Sequence, residues 1–168
     1  ILLIGFFFTD KMVGIYSLAS MIIDGLNQIP QIFMVSLNPR LTTLFKKNKK
    51  LLLIKLINRI KKNIYLIQAI TILTSNIIFI FLISLFSSDP VMNNACQMVF
   101  FILSFGAFIS SGYFPLQMIF TQNGLPNLYA YYLLSNFITN IFVSLFLIKY
   151  IGFYGAALGT VFTNVFSI

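Results

Sequence analysis

Apolar runs long enough to cross a lipid bilayer recur along this 168-residue sequence. A helix needs about 20 predominantly apolar residues to span a hydrocarbon core of about 30 Å. Six segments match a full or partial span: residues 1–8, 13–37, 64–86, 95–120, 128–148 and 155–168. They lack the strict alternation of apolar and polar residues that marks a transmembrane β-barrel. We therefore expect an all-α integral membrane protein whose sequential helices run antiparallel.

The composition supports this class. Hydrophobic residues make up 59% of the chain and charged residues 8%, whereas a soluble domain carries about a quarter of its residues as charge. The sequence begins and ends inside apolar runs, so we expect a fragment of a larger membrane protein. Residues 1–168 would form one transmembrane domain, a bundle of four full and two truncated transmembrane helices.

Few residue types that support catalysis are present. The chain has no His and no Glu, a single Cys at position 96, and three Asp residues far apart in sequence. Zinc sites and Ser-His-Asp or Cys-His catalytic sets need residues that are missing here. No G-x-x-x-x-G-K-[ST] motif occurs. We therefore expect no enzyme activity, no metal site and no cofactor.

Nine of the eleven Lys and Arg residues lie between positions 40 and 62. They are Arg40, Lys46, Lys47, Lys49, Lys50, Lys55, Arg59, Lys61 and Lys62. Short loops rich in Lys and Arg stay on the cytoplasmic side of a membrane, so we expect a cytoplasmic basic loop over residues 40–62. Alternation then places residues 10–11, Asp89 and residues 149–154 outside, and residues 121–127 inside.

The second half of this basic loop is amphipathic when it is projected on a helix from Lys50. We expect it to lie in the headgroup plane, with its apolar side toward the hydrocarbon and its cations toward anionic membrane lipids. The alternative is that the basic surface meets an acidic substrate headgroup. Nucleic acid is not an expected partner, because the charge lies beside a membrane span.

The second span carries polar residues at membrane depth. Asp24, Asn27, Gln28 and Gln31 recur at spacings that put them near one helix face. A carboxylate at the centre of a membrane helix costs about 2.5–3.5 kcal/mol, so this face should meet the bundle interior or a watery cavity. Pro30 removes a backbone hydrogen bond and is expected to kink the helix. The stripe suits a transport cavity or a buried structural network.

Other polar positions give weaker indications. Asn136 and Asn140 lie four residues apart in the fifth span and suit either interhelical hydrogen bonding or a cavity lining. Gln117, with Pro115 nearby, suits a kink or a position along a pathway. Gly155 and Gly159 form a G-x-x-x-G pattern that predicts close helix packing.

The order of these features resembles the polysaccharide flippases of the multidrug/oligosaccharidyl-lipid/polysaccharide exporter superfamily. Four stretches carry the resemblance: "MVGIYSLASMI" from Met12, "LNPRLTTLFKKNKK" from Leu37, "TQNGLPNLYAYYLLSNFITNIFVSLFLI" from Thr121, and "KYIGFYGAALGTVFTN" from Lys149. Together they cover most of the chain, although each motif alone has moderate specificity.

The resemblance implies a twelve-helix transporter of two six-helix lobes around a central cavity, with both termini cytoplasmic. This chain would be the end of helix 7 through the start of helix 12, in the second lobe. Members of the family are implied to move undecaprenyl-pyrophosphate-linked oligosaccharides across the bacterial cytoplasmic (inner) membrane by alternating access. Other surface-polysaccharide assembly proteins are further partners that the resemblance allows.

The sequence departs from the family at one point that leaves alternatives open. Some of these flippases place basic residues in helices that line the cavity, whereas here no Lys or Arg lies between Lys11 and Arg40. Either the missing lobe supplies the cations, or this member handles charge differently. Asp24 would, in a further alternative, be a proton or sodium site, as in multidrug exporters of the same fold. A membrane-embedded glycan polymerase or ligase is a second alternative, but the expected outer loops are short for that chemistry.

Overall fold

The computed structural model describes residues 2–86, 89–115 and 126–166. These residues form six helices and no strand. The helices are α1 (Leu2–Phe7), α2 (Asp10–Lys46), α3 (Lys50–Phe86), α4 (Pro90–Ser111), α5 (Pro126–Ile151) and α6 (Phe153–Phe166). The all-α prediction is confirmed for this part of the chain.

Within the described ranges, three helices are long and apolar enough to cross a membrane: α3, α4 and α5. The chain is therefore a helical membrane protein. Four full spans were expected, and the difference lies in α2. It is 37 residues long, but Asp24, Asn27 and Gln28 lower its hydropathy, and it does not meet the same criterion.

The basic stretch is largely helical. The helix projected from Lys50 is present as the start of α3, whereas residues 40–46, expected in a loop, continue α2. The second span was expected to end at Leu37, but α2 continues through Pro39 to Lys46, and α3 begins at Lys50. The reason is an apolar seam that extends along both helices. Met34 and Leu41 of α2 pack with Ile57, Ile60 and Ile64 of α3 in one buried cluster.

This seam also changes the predicted amphipathic segment. Ile57 and Ile60 belong to the side that was expected to face the hydrocarbon, yet both are buried against the cluster shared with α2. Helix pairing thus covers part of that side, and Leu52 on the same side stays half exposed. The turn between the helices is short, and Asn48 adopts φ 55° there, a left-handed conformation that Asn tolerates.

The main core lies between α2, α3, α4 and α6. Its buried members include Ala19, Phe79, Phe100 and Ala157, and the rings of Phe79 and Phe100 stack with centroids 4.1 Å apart. Helix α4 packs against α2, α3 and α6, whereas α5 packs chiefly against α6. The centre of the described bundle is therefore α4, and α5 lies at its edge.

Helices α5 and α6 form a tight hairpin built on glycine. Gly152 adopts φ +69° and its N–H donates to the Ile148 carbonyl at 2.9 Å, which ends α5. A Cβ at Gly155 would collide with the Leu147 backbone, and one at Gly159 would lie 2.7 Å from the Ser144 Cα. The close packing predicted from the G-x-x-x-G pattern is confirmed.

Two contacts mark the opposite ends of the bundle. At one end, the Lys11 ammonium donates to an Asp89 carboxylate oxygen at 3.0 Å. Asp89 also caps α4, and these bonds hold the pKa of its carboxyl below the usual range. At the other end, the Lys61 ammonium lies 5.1 Å from the centroid of the Tyr113 ring. Helix α4 runs from the end marked by the Lys11–Asp89 pair to the end marked by Lys61 and Tyr113. It is about 33 Å long, close to the thickness of a hydrocarbon core.

Candidate functional site: polar side chains at membrane depth

One face of α2 presents polar side chains that the described helices leave open. Asp24, Gln28 and Gln31 are all exposed. Their spacing of four and three residues places them on one side of the helix, as predicted. We call these three residues the α2 polar face. Gly25 lies beside it, and a Cβ added there would have no atom within 4 Å, so the space around this face is open.

The α2 polar face lies well inside the membrane level. Asp24 follows Lys11 by 13 residues, or about 20 Å of helix. It precedes Met34 by 10 residues, or about 15 Å, and Met34 shares a buried cluster with Ile60, the sequence neighbour of Lys61. Among the described residues, Asp24 forms no hydrogen bond or ion pair. An unpaired carboxylate at this depth requires water or a polar partner.

Asn27, the fourth predicted member of the stripe, has turned toward α3. It is half-buried, and its Oδ1 accepts a hydrogen bond from Gln68 Nε2 at 3.1 Å. Gln68 is completely buried, and its Oε1 has no hydrogen-bond partner within the described ranges. The sequence analysis did not identify Gln68. Its only signal is an amide in the long apolar run of α3, eight residues before the amide of Asn76.

A second polar group lines a cavity of about 430 Å³ between α1, α2, α5 and α6. The hydroxyl groups of Tyr16 and Thr160 lie 2.9 Å apart there, so one donates to the other. Ser144 donates to Asn140 Oδ1 at 3.3 Å, and both side chains line the same cavity. Asn140 therefore has a partner on its own helix, and its side chain lines the cavity.

A third polar group connects α3 and α4. Asn76 Nδ2 donates to the Ile72 carbonyl at 2.8 Å and to Ser104 Oγ at 3.4 Å. Asn76 also lines a cavity of about 390 Å³ together with Asn94 and Gln97. The sequence analysis did not use the spacing of Asn94 and Gln97, which lie three residues apart on α4. Asn76 joins them only when α3 and α4 are paired.

The remaining predicted residues are dispersed. Asn136 is half-buried and does not share the Asn140 cavity, and its Oδ1 has no hydrogen-bond partner in the described part of the chain. Pro30 and Pro115 are fully buried. Helix α2 runs through Pro30, where the Leu26 carbonyl loses its usual donor, so the expected kink stays a prediction. Gln117 lies outside the described residues.

The nine clustered cations are distributed along the α2–α3 hairpin. Arg40 and Lys46 belong to α2, Lys47 and Lys49 to the turn, and Lys50, Lys55, Arg59, Lys61 and Lys62 to α3. All are exposed except Lys61, which is half-buried beside Tyr113.

No group of three His, Cys, Asp or Glu side chains capable of holding a metal ion occurs among the described residues. Comparison of this chain with protein-family models, curated proteins and solved structures finds no match.

Proposed function

We propose that this chain is part of the second lobe of a transporter that moves undecaprenyl-pyrophosphate-linked oligosaccharide across the bacterial cytoplasmic membrane. The transport would serve the synthesis of surface polysaccharide. The observation that carries the proposal is the open α2 polar face at membrane depth. The four sequence stretches that resemble polysaccharide flippases supply the class of substrate.

The chemistry of the α2 polar face favours transport over lipid contact. Exposing a carboxylate and two amides to hydrocarbon is costly, at about 2.5–3.5 kcal/mol for Asp at the helix centre alone. A water-filled cavity removes that cost. The amide groups of Gln28 and Gln31 each carry donors and an acceptor, which suits the hydroxyl groups of a sugar chain passing through.

Alternating access gives each residue a role in this mechanism. The lobe would rock against its counterpart so that the α2 polar face opens first to the cytoplasmic side and then to the outer side. Pro30, next to that face, would supply a flexible point, because the helix lacks one hydrogen bond there. The substrate diphosphate would be met by cations outside α2's membrane segment.

An ion-coupled exporter of the same fold is a second candidate, favoured by one specific observation. Asp24 has no cationic partner among the described residues, and no Lys or Arg lies within twelve positions of it. Such a carboxylate can exchange a proton or a sodium ion as the cavity changes its exposure. Drug transport would then depend on Asp24 and on an ion gradient.

A complementation experiment tests the proposal. The full-length parent protein is expressed in a strain that lacks its surface-glycan flippase, with Asp24→Asn and Gly25→Ala as matched variants. We expect wild type and Gly25→Ala to restore surface glycan, since the side of α2 at Gly25 is open. We expect Asp24→Asn to lose most of the restoration at an equal amount of membrane protein.

Two outcomes would contradict the proposal. Full restoration by Asp24→Asn would remove the carboxylate from the mechanism. If the well-expressed parent neither restores glycan nor moves lipid-linked sugars in vesicles, but exports cationic drugs there, the second candidate replaces the first.

A further inference from the structure

A groove lined by leucine and cationic side chains lies between α2 and α3 at the basic end of their hairpin, and we call its leucine lining the floor. Its volume is about 590 Å³. Leu44, Leu52 and Leu56 contribute to the floor. Arg40 lines it from α2, and Lys55 and Arg59 line it from α3, one helical turn apart. Positive charge thus comes from both sides of one small depression. We call it the hairpin groove.

The three cations of the hairpin groove are not neutralised by the protein around them. Residues 40–62 contain no Asp or Glu. Within the described ranges the single ion pair joins Lys11 and Asp89, at the other end of the bundle. Like charges that share a groove repel one another, and an anion bound between them removes that repulsion. The groove is therefore electrostatically complementary to a phosphate group.

The level of the hairpin groove matches the headgroup layer of a bilayer. Lys61 and Tyr113 lie where α4 ends, and we take them as the edge of the hydrocarbon. Arg59 is two residues beyond Lys61, or about 3 Å of helix, and Lys55 is six residues beyond it, or about 9 Å. Arg40 is likewise six residues beyond Met34, which shares a buried cluster with Ile60. Since the headgroup layer is about 5–7 Å thick on each side, the groove crosses it.

We propose that the hairpin groove is a binding site for the headgroup of an anionic phospholipid. Arg40, Lys55 and Arg59 hold the phosphate group, and the leucine floor contacts the apolar part of the lipid next to it. The floor and the level of the groove identify the source as a membrane lipid rather than a free phosphate ion. The proposal does not depend on the transported substrate, because the site is about 20 Å of helix or more from Asp24.

A bound lipid would hold the hairpin at the membrane surface. The diffuse attraction of a basic segment to an anionic membrane depends on the number of charges near the surface. Lipid binding at a built site instead depends on which positions lose their charge. This difference separates the two explanations experimentally.

The test compares two variants of the full-length protein that lose three positive charges each. The groove variant carries Arg40→Gln, Lys55→Gln and Arg59→Gln, and the tip variant carries Lys46→Gln, Lys47→Gln and Lys49→Gln. Thermal unfolding in a neutral detergent is followed while phosphatidylglycerol or phosphatidylcholine is added. A ligand that binds the folded state raises the unfolding temperature according to its affinity.

We expect phosphatidylglycerol to stabilise wild type and the tip variant at similar concentrations. We expect the groove variant to need at least about tenfold more lipid, because it loses the charged donors that hold the phosphate group, whereas the tip variant keeps them. Phosphatidylcholine should stabilise each of the three proteins less than phosphatidylglycerol stabilises wild type. Inorganic phosphate and glycerol 3-phosphate, added without lipid, should have little effect.

A further variant covers the case in which the groove variant does not fold. Arg40→Lys with Arg59→Lys preserves the charge but removes the paired N–H donors that hold a phosphate group. It should bind phosphatidylglycerol more weakly than wild type. Equal losses in the groove and tip variants would overturn the proposal in favour of diffuse attraction. Equal stabilisation by inorganic phosphate would overturn the choice of a lipid.

Discussion

At the scale of single residues, polar groups inside this bundle occupy three different environments. Gln68 is fully buried and paired with Asn27, Asn140 lines a cavity, and Asp24 stands on an open face. The free energy of each group depends on its partners and not on its residue type. A side-chain amide group is therefore structural at one position and available to a ligand at another.

The Asn27–Gln68 hydrogen bond gives a prediction at this scale. A double-mutant cycle with Asn27→Ala and Gln68→Ala should give a coupling free energy of about 0.6–1.7 kcal/mol, as for other side-chain hydrogen bonds in membrane helices. Unfolding of the purified protein in detergent by heat or by SDS measures it.

The control cycle uses Gln28→Ala with Gln68→Ala. Gln28 lies next to Asn27 but is exposed and makes no contact with Gln68 in the hydrogen bonds of the structure. Its effect should add to that of Gln68→Ala. Coupling of the same size in both cycles would mean that the hydrogen bond does not link α2 to α3.

At the scale of helices, small residues decide how closely neighbours approach. Gly155 and Gly159 lie against α5 with no room for a side chain, and Gly106 of α4 would place a Cβ 2.6 Å from Val161 of α6. The obstacle at Gly155 is backbone, whereas at Gly106 it is a side chain. Backbone moves less readily, so substitution should be most harmful at Gly155.

Gly155→Ala tests this expectation. It should destabilise the α5–α6 hairpin by about 1–3 kcal/mol, the usual range for overpacking. Gly25→Ala is the matched control, because the same methyl group there enters open space and alanine favours a helix. Thermal unfolding in detergent compares them. Equal melting temperatures for the two variants would show that α5 and α6 separate without cost.

At the scale of the whole molecule, charge and polarity divide the bundle into regions. The basic end of the α2–α3 hairpin carries most of the formal net charge of +8, while the other end holds the Lys11–Asp89 pair. Between them lie apolar faces such as that of α3, where Leu73 is 66% exposed. The α2 polar face interrupts this apolar exterior at one place.

A labelling experiment measures whether the α2 polar face contacts water. In a Cys96→Ala background, Gln28→Cys should react with a membrane-impermeant thiol reagent at least about tenfold faster than Leu73→Cys, since the reactive thiolate forms only where water reaches it. Native membranes containing the full-length protein provide the sample. If both positions are equally unreactive, the α2 polar face is sealed or faces lipid, and this result contradicts the proposed transport cavity.

The class of the protein and the position of its charge follow from the order of its amino acids alone. Long apolar runs, scarce acids and nine cations in one stretch are properties of composition and local order. The alignment of Asp24, Gln28 and Gln31 on one face also follows from the helical period alone. No knowledge of neighbouring helices is needed for these conclusions.

How far the helices extend and which residues meet depend on the packing of the helices against one another. Pro39 lies inside α2 because an apolar seam with α3 continues past it. Gln68 meets Asn27 across 41 positions of sequence, and Arg40 shares a groove with Lys55 and Arg59. These juxtapositions depend on how helix surfaces pack, and that information is distributed over residues far apart in the chain.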